Sequence, residues 1–339
     1  MLDERKLSVL RAIVEEFVSS HEPVGSKAIA ERHVLGVSSA TIRNDMAALE
    51  EEGYIAAPHT SAGRIPTEKG YRLFVDRLHS VKPLSTGERT AIERFLDGAV
   101  DLDDIMLRTT KLLAQLTQQI AIVQYPSLTV AKVRHVELVS LGGTRAMLVL
   151  IADTGRVEQR VVDLGLEVGS VTLEEIRTRF NALLDGKPFS ALPVELAHSL
   201  ENFEVELRPA VSAIAACLME TVIDRADERI VVAGASHLAR RTQEFGLTLG
   251  PLLEAIEEQV VLLKLLGEAA TDTDVHVRIG HEHRVDSLAG AAVVTTGYGA
   301  GELAVGRLGV VGSTHMDYAG SMAAVSAVAR YVGKMVADS

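Results

Sequence analysis

The sequence predicts a multidomain α+β protein that opens on a winged helix-turn-helix, and three observations predict it. Apolar residues recur at three- and four-residue steps through residues 2–20 and again in short stretches to about residue 80. Alternating strand-like runs, separated by glycine turns, begin at about residue 133. The chain has 339 residues, more than one hydrophobic core usually supports.

The elements follow in order. Leu7, Leu10, Ile13, Val14, Phe17 and Val18 form one face of the first helix. Glu22-Pro23-Val24-Gly25-Ser26 makes a turn into a short helix, 27–33, and Val34–Val37 makes a second turn. Ser38 is a good N-cap for a third helix, which Gly53 stops. Residues 54–66 form two short strands with a polar tip, Pro58–Gly63, and Thr67 caps a helix over about 68–80. Helix, helix, turn, helix and hairpin is the winged helix-turn-helix order.

Residues 81–88 form a linker, Lys82-Pro83-Leu84-Ser85-Thr86-Gly87 at its centre. Residues 88–123 are expected to be largely helical, with Ile92, Phe95, Leu96, Ile105, Leu112, Leu113, Leu116 and Ile120 as apolar positions. Strands follow at 133–141, 145–152 and 156–163, joined by Gly142-Gly143 and Asp153-Thr154-Gly155. From 165 to 248 helices dominate, notably 172–184 and 209–226. A helix at 251–266, strands near 274–280, 289–297 and 303–311, and a last helix at about 317–336 complete the chain. This order describes an α/β domain, 89–164 and 249–339, interrupted by a helix-rich insertion at 165–248.

The third helix carries the chemistry. With Ile42 at zero and 100° per residue, Met46 and Leu49 fall near about 40° and 340° and define the buried stripe. Ala40, Asn44, Ala47 and Glu51 lie opposite, flanked by Thr41, Arg43 and Ala48. Small side chains let the backbone approach a groove wall. Asn44 has the donor–acceptor pair that reads adenine, and Arg43 can meet guanine or phosphate. Ser38, Ser39 and Thr41 place hydroxyls at the helix N-terminus, where amides and the dipole favour phosphate. The candidate DNA-binding set is Lys27, Ser38, Ser39, Ala40, Thr41, Arg43, Asn44, His59, Thr60, Ser61, Arg64 and Lys69.

Composition pulls against nucleic acid. The formal charge is −12, from 34 basic and 46 acidic residues. Residues 1–80 hold ten Lys/Arg against twelve Asp/Glu, net −2. Over 53–73, Arg64, Lys69 and Arg72 face only Glu68, net +2, so charge is segregated. The balance predicts weak non-specific DNA affinity and reliance on paired, correctly spaced recognition helices. Aromatic content of 4% argues against stacking-based RNA binding. Cys217 is the single cysteine, set among Ala215, Ala216, Leu218 and Met219 as a small buried helix residue, so no disulfide framework and no cysteine zinc site is expected. The N-terminus lacks a basic leader with an apolar core, and the apolar runs are short, so a cytoplasmic protein without membrane contact is expected.

At these residues the chain resembles a known family, the heat-inducible transcription repressors of the HrcA type. The matching blocks are Glu22–Lys27, Val37–Ala47, Leu49-Glu50 with Gly53-Tyr54, and Pro58–Tyr71. Thinner matches occur at Ile279–Glu282, Gly309–Gly312 and Met316–Tyr318, so the likeness spans essentially the whole chain. Ser313 departs from the family pattern, where proline stands. The resemblance implies a homodimeric repressor of chaperone operons that binds an inverted-repeat operator in double-stranded DNA. It implies a winged helix-turn-helix followed by a GAF-like domain into which a dimerising domain is inserted. It also implies the chaperonin as a modulating partner. The alternative class is a metabolite-sensing winged-helix regulator.

Other motifs carry less. Gly297-Tyr-Gly299-Ala-Gly301 has its third glycine misplaced for a dinucleotide loop and is expected to be a turn. His281-Glu282-His283 is expected to be a solvated loop rather than a metal site. Gly234-Ala-Ser236-His237-Leu238 is not a nucleophile elbow. Nothing assembles a nucleophile, base and oxyanion donor, so no enzyme, cofactor or metal is expected.

Overall fold

Capping chemistry delimits the N-terminal helices of the computed structural model. The Asp3 carboxylate accepts from the Lys6 amide and starts α1 (Glu4–Ser20), which ends where His21 turns left-handed. The Leu10, Ile13, Val14 and Phe17 stripe of α1 is buried. α2 (Ser26–Arg32) and α3 (Ser39–Glu51) follow. Ser38 caps α3, its Oγ accepting from the Thr41 amide at 3.2 Å. Gly53 ends it at φ +77°, a conformation that other side chains resist. β1 (Ile55–Ala56) and β2 (Ile65–Pro66) pair antiparallel, and α4 (Glu68–Asp76) closes the domain under a Thr67 cap.

The structure describes residues 2–59, 63–78, 85–127, 131–199, 203–223, 229–240, 250, 252–254, 258, 261–262, 266, 273–283, 288–299 and 304–338. Thr60, Ser61, the linker's 81–84 and most of the helix expected at 251–266 lie outside them. The linker is shorter than expected, because Ser85 caps α5 (Thr86–Leu96) with a reciprocal Ser85–Glu88 capping box.

The expected helical stretch 88–123 is instead three elements. α5 is followed by α6 (Leu102–Thr117), which stops at left-handed Gln118, and then by strand β3 (Ile120–Gln124). All five β3 residues are buried. A strand covered on both faces shows no alternation, so its apolar run looks like a continuing helix.

β3 enters a five-stranded antiparallel sheet of order β7-β3-β10-β9-β8. Its other strands are β7 (Ile230–Ala233), β8 (His276–Ile279), β9 (Ala291–Tyr298) and β10 (Gly306–Ser313). One face, with Ala121, Val123, Val294 and Val310, shares a core with α6, with α11 (Tyr318–Asp338), and with the N-terminal helices. Ile120, Ile122, Val293 and Val311 on the other face pack with Leu252, Leu262 and Leu288. Gly297 and Tyr298 belong to β9, paired with Arg307 and Gly306, so the glycine-rich segment begins as strand rather than as the expected turn. Ser313 is the last residue of β10, and its carbonyl closes a turn by accepting from the Met316 amide at 3.1 Å.

A second sheet holds β4 (Val133–Gly142), β5 (Arg145–Ala152) and β6 (Val157–Asp163), all antiparallel. It shares no core with β3. Val136, Leu138, Leu148 and Leu150 pack instead with Leu173, Ile176 and Phe180 of α7 (Ser170–Leu184) and with Ile214 and Leu218 of α9 (Arg208–Ile223). α8 (Leu192–Ser199) completes this body, and α10 (Ala235–Arg240) follows β7. Strands β4–β6 thus share a core with helices of the 165–248 stretch, while β7, within that stretch, pairs with β3 in the five-stranded sheet.

Candidate nucleic-acid interface

The inward stripe of α3 is Ile42, Asp45, Met46 and Leu49. Ser38, Ser39, Ala40, Arg43, Asn44, Ala47 and Glu51 are exposed, with Thr41 and Ala48 half-buried on the flanks. This is the face expected from a 100° step. The Ser38 and Thr41 hydroxyls lie 3.0 Å apart at the helix N-terminus. Lys27 on α2 is exposed, its Nζ 3.8 Å from Glu31. His59 is exposed where the hairpin tip begins.

Asp45 breaks the apolar stripe. It is buried, and Arg5 of α1 meets its carboxylate with two hydrogen bonds of 2.8 and 3.0 Å. That bidentate contact raises the Arg5 guanidinium above its ordinary pKa. It fixes the rotation of α3 on α1, because Asp45 neighbours both Arg43 and Asn44. Periodicity could not find it, since the partner lies 40 residues away.

Two residues expected to face phosphate are held within the protein. Arg64 donates from Nε and a terminal nitrogen to Glu50 at 2.9 and 2.8 Å. Its backbone exchanges two 2.8 Å hydrogen bonds with Val24, which ties the hairpin base to the turn before α2. Lys69 donates to the Glu52 carbonyl at 2.7 Å and sits 4.4 Å from the centre of the Tyr54 ring. Both clamp the C-terminal end of α3 to the hairpin and α4. Arg43, Asn44, Lys27, His59 and the α3 N-terminus are exposed without a charged clamp on α3, whereas Lys69 is exposed but tied to the Glu52 carbonyl.

Among the described residues, no group of three or more His, Cys, Asp or Glu could hold a metal ion. The 281–283 segment is solvated in part: His281 and Glu282 are exposed, with His281 Nδ1 beside the Glu68 carboxylate, and His283 is buried. Burial pushes the His283 imidazole down to about 4, with Arg278 adding to the effect. Cys217 is half-buried on α9, where burial raises its thiol pKa. No described helix is long and apolar enough to cross a membrane.

Comparison with known proteins extends this geometry. The family model described as "HrcA protein C terminal domain" matches residues 103–322, and an "HTH domain" model matches residues 9–65. The "Heat-inducible transcription repressor HrcA" of Streptomyces avermitilis is 57% identical over 339 residues, all of both chains. The protein of that name from Acidothermus cellulolyticus is 57% identical over the same span. That from Frankia casuarinae is 56% identical over 336 residues, 99% of each chain. A crystal structure described as a hypothetical protein superposes with a TM-score of 0.66 at 27% identity, covering 100% of this chain and 99% of the other. A helix-turn-helix domain, a C-terminal family domain and full-length identity thus agree, and the chain belongs to the HrcA family of heat-inducible transcription repressors, not to any enzyme family.

Proposed function

We propose that the protein is a homodimeric repressor of heat-shock chaperone operons that binds an inverted-repeat operator through its winged helix-turn-helix. One observation carries the reading. The outward face of α3, with serine, alanine, Arg43 and Asn44 ahead of Glu51, is left open, while Arg64 and Lys69 beside it are engaged with Glu50 and the Glu52 carbonyl. Asn44 and Arg43 read base edges, and the α3 N-terminus takes a phosphate. Thr60 and Ser61 keep their proposed place at the wing. β1 and β2 form that wing, and the five-stranded sheet with α6 and α11 is the GAF-like domain.

Dimerisation is supported by the uncovered face of the second sheet. Val139, Met147 and Val161 lie in one row across β4, β5 and β6, beside Leu141, Val149, Ile151 and Val157. Val139, Leu141, Val157 and Val161 are exposed, Val161 at 61%. Glu137 and Gln159 flank Val149 in the next row, and an exposed sheet face that mixes apolar and polar rows in this way suits an interaction surface; a second copy pairs two recognition helices. The proposed modulation by the chaperonin, which would support the active repressor until heat draws it to unfolded protein, rests on the family resemblance. Among the described residues, both faces of the five-stranded sheet are packed, which gives the metabolite-sensing alternative no support there. Two grooves of about 390 and 420 Å³ lie beside α1 and α4. The test is a gel shift on an inverted-repeat operator with and without chaperonin. Retention that chaperonin strengthens is expected. Retention that responds only to a metabolite would favour the alternative.

A further inference from the structure

α4 of the helix-turn-helix domain meets the C-terminal half at a polar rim. An Arg72 terminal nitrogen donates to the Val277 carbonyl at 2.9 Å and to Glu282 at 3.2 Å. Its Nε and other nitrogen hold Asp76 at 3.0 and 2.9 Å. Glu282 also accepts from the Ile279 amide at 2.9 Å, which shapes the turn after β8. His281 Nδ1 lies 3.0 Å from the Glu68 carboxylate. Gly280 has φ +53°, and a Cβ there would run into that carboxylate.

Behind the rim lies an aromatic wedge. His315, on the turn after β10, meets Phe17 of α1 edge-on at 5.5 Å and Tyr71 of α4 at 5.9 Å. Tyr71 stands 5.3 Å from Tyr318, and both tyrosines are 1% exposed. The two halves are thus joined by one core, with a keyed turn at its edge.

We propose that this joint is a positioning device for operator recognition: Glu68, Arg72, Gly280, His281 and Glu282 hold the DNA-reading domain at one angle to the five-stranded sheet, and so contribute to the half-site spacing that the dimer accepts. This rests on the dimeric-operator reading above. The physical argument compares two designs. A DNA-reading domain on a flexible tether binds its second half-site at an effective concentration that changes slowly with distance. A docked domain loses no freedom on binding, but tolerates only one helical phase. The wedge supplies the docking contact area. The rim supplies angular register, because its donors and acceptors have fixed directions. His281 is 82% exposed and Glu68 40%, so their pairing adds little to stability, and the rim can be altered while the fold stands.

The test measures binding to inverted repeats whose spacers grow base pair by base pair through half a helical turn, and to a single half-site. The wild type is expected to lose at least tenfold in affinity at the half-turn spacer. Gly280→Ala, and separately the Glu68→Gln/Arg72→Gln double variant, are expected to flatten that difference to within threefold, with half-site affinity unchanged. The reversed pair Glu68→Lys/His281→Glu, which rebuilds the contact, is expected to keep the wild-type preference. Folded variants that keep the wild-type spacer profile would overturn the proposal. A second readout needs no DNA. Spin labels at Glu51→Cys and Arg330→Cys, in a Cys217→Ser chain diluted with unlabelled protein, report the angle between the DNA-reading domain and the five-stranded sheet with its helix α11. A narrow distance distribution in the wild type that broadens in Gly280→Ala supports the joint, and equal widths overturn it. Wild-type protein that binds no inverted repeat sinks the operator reading, and the label distances then decide the joint alone.

Discussion

Asn44 and Arg64 separate at the level of single side chains. Asn44 is exposed on the reading face, so Asn44→Ala is expected to cost about 1–3 kcal/mol on the cognate site and nothing on random DNA, measured by anisotropy titration. Equal loss on both would remove it from base readout. Arg64 is different, because Glu50 already holds its guanidinium. Arg64→Ala and Glu50→Gln are expected to weaken operator binding to the same extent while leaving the salt dependence near wild type. A slope smaller by about one would return Arg64 to the phosphates. The local chemistry of α3 was legible in the sequence: the Ser38 cap, the Gly53 stop and the Ile42, Met46, Leu49 stripe need only neighbours within one helix. Asp45–Arg5, Arg64–Glu50 and Lys69 on the Glu52 carbonyl were not legible, because a charge chooses its partner only after distant segments pack. His283 adds a pH effect. Its folded pKa, about 4, lies below the ordinary 6.5, so the unfolded chain takes up a proton first on acidification. Its contribution is therefore whole above about pH 6.5 and falls away between there and pH 4. His283→Leu is expected to shrink the loss of urea midpoint between pH 7 and pH 5, and an unchanged loss would clear His283 of that role.

The second sheet shows what alternation reveals at the scale of elements and what it hides. β5 was expected at 145–152 and spans those residues, because one of its faces is buried and the other is not. β3 and β7 went unrecognised as strands. β3 is buried throughout, and β7 has four residues, so neither shows a period of two. The open face of β4–β6 leads to a direct test. Val161→Lys is expected to shift the protein from dimer to monomer in sedimentation and to weaken operator binding in step, with the melting temperature little changed. A dimer that survives a charge in that row would place the interface elsewhere. Between the two sheets, Arg156 is buried, bonds Glu158 at 2.9 Å, and donates to the Pro126 carbonyl at 3.0 Å. Removing one partner leaves the other charge buried. Glu158→Leu is therefore expected to cost about 3–5 kcal/mol, and the Arg156→Met/Glu158→Leu pair less than that, in denaturant unfolding. A double variant no better than the single would show that the Pro126 contact, not the ion pair, dominates.

Charge and dimer geometry meet at the scale of the whole molecule. The net −12 first argues against DNA, but residues 1–80 carry only −2 of it, and Arg64, Lys69 and Arg72 are turned to internal partners. Little free positive charge is left for non-specific attraction. Specificity must then come from two reading helices held at one spacing, and that is a property of the docked, dimeric molecule rather than of any segment. No local pattern in the sequence carries it, because α4, β8 and His315 come together from three distant stretches of chain. The most direct test is titration of the full-length protein against an inverted-repeat operator, one half-site and random duplex at physiological salt. The account predicts tight binding to the inverted repeat, with the half-site and random DNA at least a hundredfold weaker. Comparable affinity for all three would contradict it.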